Sequence, residues 1–150
     1  MSRKKHQPKR VRFFLADEIR TDDRSKPLII GLFVDDQVLI EVSSEPTPEK
    51  PISLQSITVL ASLIDCAGHF DAESSLYGPN GFVIFEGRKI EGGITTHEEG
   101  GTELRNMNLI LRFSPFMIPS LGEYRLDIKL DKKTYTYTFK ILSRGAVYSP

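Results

Sequence analysis

A single cysteine, Cys66, stands among the 150 residues, so no disulfide can close within the chain and oxidation acts only at one thiol or between chains. A reducing, cytoplasmic setting is the expectation. Alanine is scarce at five residues, while Val, Ile, Thr, Phe and Tyr together number 44, a mix suited to a pleated, half-buried surface. Little or no helix is expected. The longest apolar run, Leu28 to Val34, falls far short of the roughly 20 residues that span a bilayer. Near the start, Phe13-Phe14-Leu15-Ala16 gives way at once to Asp17 and Glu18, whereas a secretory signal needs about 7–15 apolar residues. Neither a membrane span nor export by that route is expected.

Chemical motifs are missing too. There is no Gly-x-Ser-x-Gly elbow in a strand-to-helix setting, no phosphate-binding P-loop and no Gly-x-Gly-x-x-Gly fingerprint. No repeat recurs at a fixed period, which argues against a propeller or solenoid. The acidic pairs Asp22-Asp23, Asp35-Asp36 and Glu98-Glu99 lack the Asp-x-Asp spacing of a calcium loop and read as solvated turns. The expectation is a protein that is not an enzyme and carries no cofactor.

The chain does have regular alternation. Tyr124, Leu126, Ile128 and Leu130 alternate with polar residues, and after Asp131-Lys132-Lys133 the pattern resumes through Tyr135, Tyr137, Phe139 and Ile141. Period two on both sides of a short polar break predicts an antiparallel hairpin with one buried face. Met107, Leu109, Leu111 and Phe113 share a face, with Ile110 as an apolar exception on the polar side. Phe70, Ala72 and Leu76 alternate up to Gly78-Pro79-Asn80-Gly81, where Asn-Gly suits a tight turn, and Phe82 to Glu86 returns. Ile57 to Asp65, apolar on nearly both faces, predicts a central strand, and Leu28 to Val34 and Val38 to Val42 flank an Asp35-Asp36 turn. With Val11 to Ala16, the pattern predicts an all-β fold, a single antiparallel β-sandwich of about eight to nine strands over 13–142. Residues 1–12 are expected to be a basic, disordered tail and 143–150 a C-terminal tail.

The pieces in this order, Phe14-Leu15-Ala16-Asp17 leading to Leu28-Ile29-Ile30-Gly31, then Gly78-Pro79-Asn80-Gly81, then Pro119-Ser120-Leu121-Gly122-Glu123-Tyr124-Arg125-Leu126, resemble a family of small uncharacterised bacterial all-β proteins, domains of unknown function. The resemblance implies a β-sandwich over most of 13–142. It implies no activity, cofactor or catalytic residue.

Net charge is zero, yet Arg3, Lys4, Lys5, Lys9, Arg10 and Arg12 put six cations in the first twelve residues and leave the rest of the chain acidic by the same amount. Six cations before the first carboxylate could hold phosphates, with affinity that falls as salt rises. Cys66 and His69 are spaced like half a metal site, with His97, Asp65, Asp71 and Glu73 as completions, but zinc sites show paired motifs and none appears. Thr95, Thr96, His97, Glu98 and Glu99, bracketed by paired glycines, form a candidate binding loop. Tyr135 and Tyr137 fall into the core pattern with Phe139. The expected function is a non-enzymatic binding or protein-interaction module, engaging a protein partner or a second copy through a sheet edge. Polyanion binding (nucleic acid or an anionic surface) through the basic start is the alternative, and a metal-dependent hydrolase at Cys66, His69 and His97 a distant third.

Overall fold

The computed structural model describes residues 5–24, 26–91, 93–95 and 104–144. Among them the chain is all-β, with thirteen strands in four sheets, two 3-10 turns and no α-helix. No helix is long and apolar enough to cross a membrane.

One large sheet has four strands in the order β10 (Arg105–Phe113), β5 (Ile57–Cys66), β1 (Arg10–Thr21) and β2 (Pro27–Leu32), every pair antiparallel. The other has five, in the order β3 (Gln37–Ile40), β13 (Lys133–Ser143), β12 (Gly122–Leu130), β7 (Ala72–Tyr77) and β8 (Val83–Lys89). Two short ribbons complete the fold, β4 (Ile52–Leu54) with β11 (Phe116–Ile118) and β6 (His69–Phe70) with β9 (Ile94–Thr95).

The alternating residues do what their spacing asks. Tyr124, Leu126, Ile128 and Leu130 of β12 are buried, as are Tyr137, Phe139 and Ile141 of β13. They share one apolar cluster with Leu15 of β1 and Val59, Ala61 and Leu63 of β5, so the core draws on both large sheets. A string of rings runs through it: Phe13 stacks on Tyr137 with centroids 4.9 Å apart, Tyr137 neighbours Phe139, and Phe139 stacks on Tyr124. Tyr124, near the start of β12, donates its phenolic hydrogen to the Ser120 carbonyl at 2.6 Å. The β12–β13 hairpin closes from Leu130 to Lys133, with Asp131 at a φ of 56°. β7 and β8 pair across Gly78–Gly81, where Asn80 and Gly81 take φ of 59° and 76° as a tight turn requires.

Three expectations change. The single antiparallel sandwich of eight to nine strands becomes thirteen strands in four sheets, because β4, β6, β9 and β11 are too short to show alternation and form only where a distant partner meets them. Asp35-Asp36 carries the chain from one large sheet to the other, and β3 pairs in parallel with β13, so the fold is not wholly antiparallel. The basic start is also not a disordered tail over residues 5–12. His6 and Ala67 exchange backbone hydrogen bonds, the Lys9 amide donates to the Ile64 carbonyl, and Arg10 and Arg12 lie within β1. At the other end β13 runs to Ser143, and the Arg144 amide donates to the Ile40 carbonyl at 2.7 Å. Arg3, Lys4 and 145–150 lie outside the described residues.

Candidate functional site

The four-stranded sheet carries a second apolar cluster of its own. Ala16, Ile19 and Leu60 are buried in it, with Phe14, Ile29 and Ile110 packed around them. All six belong to strands of this one sheet, so no other described element supplies a member. Register explains the grouping. Phe14 stands opposite Leu60, and Leu60 opposite Ile110, on the face turned away from Leu15, Val59 and Ala61 of the main core. The apolar row therefore crosses three strands. Arg12, Ser62 and Asn108 form the row on one side, and Ala16, Thr58 and Arg112 the row on the other. None of these nine residues is acidic.

The two arginines are tied to the row. The Arg12 guanidinium lies 5.6 Å from the centre of the Phe14 ring, a cation–π contact that also caps the apolar surface. Arg112 reaches along the sheet and donates to the Ile19 carbonyl at 3.2 Å. Ile19 joins the cluster although it is an odd-numbered residue among even-numbered partners on β1. The alternation changes phase between Ala16 and Ile19, opposite Gly31, whose φ of +69° is a conformation that favours glycine.

Beside this face runs the sheet edge. β2 pairs with β1 alone, and Leu28, Ile30 and Leu32 are 54%, 40% and 52% exposed, with Val34 at 75% just beyond the strand. An edge strand offers a row of unpaired backbone groups, and proteins usually blunt it with charge, proline or a bulge. β2 has Pro27 at its first position and Gly31 near its end, but no charged side chain between them.

No family model matches the chain, and no curated protein matches it. The site thus rests on its own residues.

A second region, a polar cleft of about 730 Å³, lies where β6, β7 and the β12–β13 turn come together, lined by His69, Asp71, Glu73, Lys89, Lys129 and Asp131 among others. Its charges are largely spent on one another. Lys5 meets Asp131 at 2.7 Å, and Lys129 lies 3.8 Å from Glu73. The Lys5 ammonium, with the Asp71 amide, holds the Asp131 carboxyl below its usual range. His69 shares a 2.6 Å hydrogen bond between Nδ1 and the Thr95 hydroxyl, and its Nε2 is 3.8 Å from Asp71, whose side chain is 95% exposed. The order hydroxyl, imidazole, carboxylate suits proton transfer, but the exposed carboxylate lies beyond hydrogen-bond reach, so Thr95 and not Asp71 holds the imidazole.

Cys66 and His69 are not brought together as a metal half-site. Cys66 is fully buried with Sγ 3.4 Å from the Arg105 carbonyl, and burial pushes its thiol up, while His69 faces Thr95 and Asp71. No group of three potential metal ligands occurs among the described residues. Of the basic start, Lys5 is paired with Asp131, and Arg10 and Arg12 lie on β1. Of the binding loop, Thr95 closes β9 against His69, and Thr96, His97, Glu98 and Glu99 lie outside the described residues. Sequence reasoning missed the Phe14, Leu60 and Ile110 row. Its signal was the exception at Ile110.

Proposed function

We propose that this chain is a non-enzymatic β-sandwich binding module that engages another protein through the β2 edge of its four-stranded sheet. The two large sheets are read as the two layers. The parallel β3–β13 pair, the β7–β12–β13 run and a tyrosine corner at Tyr124 support a sandwich of the immunoglobulin type, in which such a tyrosine opens a core strand. Fold alone assigns no function. The observation that carries the reading is the edge itself, three half-exposed aliphatic side chains on a strand with one pairing side open. Strand addition supplies main-chain hydrogen bonds on the open side and burial of those side chains, whether the partner is another protein or a second copy.

Leu28→Lys and Ile30→Lys test it, since both positions are exposed and tolerate charge. The unaltered chain should retain a partner at high salt, seen as concentration-dependent dimerisation in sedimentation or as an identified protein captured from a cell lysate, and both variants should lose it. Retention that survives both substitutions would count against the edge.

A second reading, polyanion binding, draws support from Arg10, Arg12 and Arg112 on strands whose facing rows hold no carboxylate. Its mark is salt: nucleic acid would be held at low salt and released as salt rises.

A further inference from the structure

The outward face beside β2 has a composition that narrows the partner. Its centre is aliphatic and aromatic, Phe14, Leu60 and Ile110 in one row with the Ile19–Ile29 pair further along β1, and Leu60 is 3% exposed beneath its neighbours. Its flanks are cationic. With about 3.3 Å per residue along a strand, the Arg12 and Arg112 rows stand about 13 Å apart, either side of the apolar row. A sheet face that is apolar along one stripe is ordinarily covered by another element. Here every described member of the cluster comes from the sheet itself.

We infer that this face docks an acidic amphipathic segment of a partner protein, apolar side chains on the Phe14–Leu60–Ile110 row and carboxylates on either side meeting Arg12 and Arg112. The inference rests on the reading of the chain as a protein-binding module and adds the chemistry of what it binds. Charge complementarity carries it: Arg12 on one flank and Arg112 on the other, with no carboxylate in the three rows and with Glu18, which also feels Arg112, paired to Arg20 at 2.9 Å, attract an acidic partner and reject a basic one. A nucleic acid fits less well. Strand binding without sequence preference uses several aromatic platforms and a cationic track, and among the described residues of this cluster there is one ring, Phe14, already covered by Arg12. Leu60 and Ile110 have no ring to stack on a base.

Three probes separate the outcomes when titrated into the isotope-labelled full chain with amide resonances followed by NMR. The first is a synthetic amphipathic peptide with leucine on one face and glutamate on the other, the second its counterpart with lysine for glutamate, and the third a single-stranded oligonucleotide. The glutamate peptide should shift amides of β1, β5 and β10 around Phe14, Leu60 and Ile110, and the lysine peptide should not. Arg12→Glu and Arg112→Glu, both at exposed side chains, should each weaken the glutamate peptide by about tenfold or more while the dispersed spectrum is kept. Arg12→Gln and Arg112→Gln, with no carboxylate added, should weaken it less. Equal binding of the two peptides, shifts confined to other strands, or oligonucleotide binding at these residues in place of the peptide would each overturn the inference. If Ile30→Lys abolishes partner retention and the arginine variants do not, this inference fails while the edge reading stands.

Discussion

Tyr124 joins packing to hydrogen bonding at one side chain. Its ring lies between Phe116 and Phe139, and its hydroxyl satisfies the Ser120 carbonyl four residues back. Tyr124→Phe keeps the ring and strands the carbonyl, so it should cost about 1–2 kcal/mol in urea unfolding. Burial lifts the Tyr124 phenol to about 12, and burial together with the Asp36 carboxylate that accepts its hydrogen bond also raises Tyr137. Unfolded phenols ionise near about 10. The folded state therefore holds these protons more tightly, and the stability they contribute is complete below about pH 10 and lost as pH rises through the folded values. Unfolding midpoints should fall steeply above that point, and phenolate absorbance from Tyr124 and Tyr137 should appear together with loss of structure. Full ionisation of every tyrosine near pH 10 with the fold intact would contradict the burial of both rings. The residues of the Tyr124 corner were visible in the sequence as Pro119 to Leu126, but the bond to Ser120 is a feature of three dimensions.

Within elements, alternation was the legible signal. On β12 it separates Ile128, fully buried, from Lys129, exposed and 3.8 Å from Glu73. Ile128→Asp buries an unpaired charge and should cost several kcal/mol, about 3 or more, whereas Lys129→Asp should change stability by less than about 1 kcal/mol. Equal losses in chemical denaturation would mean that the faces of β12 are misassigned. Alternation fails where a strand carries apolar residues on both faces. Ile110, out of phase on β10, and Leu60, on a strand apolar throughout, were the visible traces of the outward cluster. Alternation is also silent on partners. Asp35 and Asp36 have φ of 58° and 54°, the signs a two-residue hairpin turn uses, yet here they lead from β2 in one large sheet to β3 beside β13 in the other. The local turn chemistry is the same in both cases, and only the rest of the fold decides between them.

At the scale of the whole molecule, charge and pairing were separable in the sequence only in part. The concentration of cations at the start was plain, but its placement was not, because what orders it comes from far along the chain: Ala67 for His6, the Leu130 carbonyl for the Gln7 amide, the Tyr135 hydroxyl for the Pro8 carbonyl, and Asp131 for Lys5. Held this way, the start of the chain sets Arg12 over Phe14 on the stretch of β1 that precedes its pairing with β2. The open β2 edge borders both faces of this sheet, with Ile29 on the side of the outward cluster and Leu28 and Ile30, alternating with it, on the other, and the proposed role in binding follows from that edge. The most direct test is amide hydrogen exchange of the chain with and without its captured partner, or above and below its dimerisation concentration. β2 amides that point away from β1 should exchange readily in the free chain and slow by at least about tenfold in the complex. Protection confined to the five-stranded sheet, with β2 exchanging as before, would contradict the account.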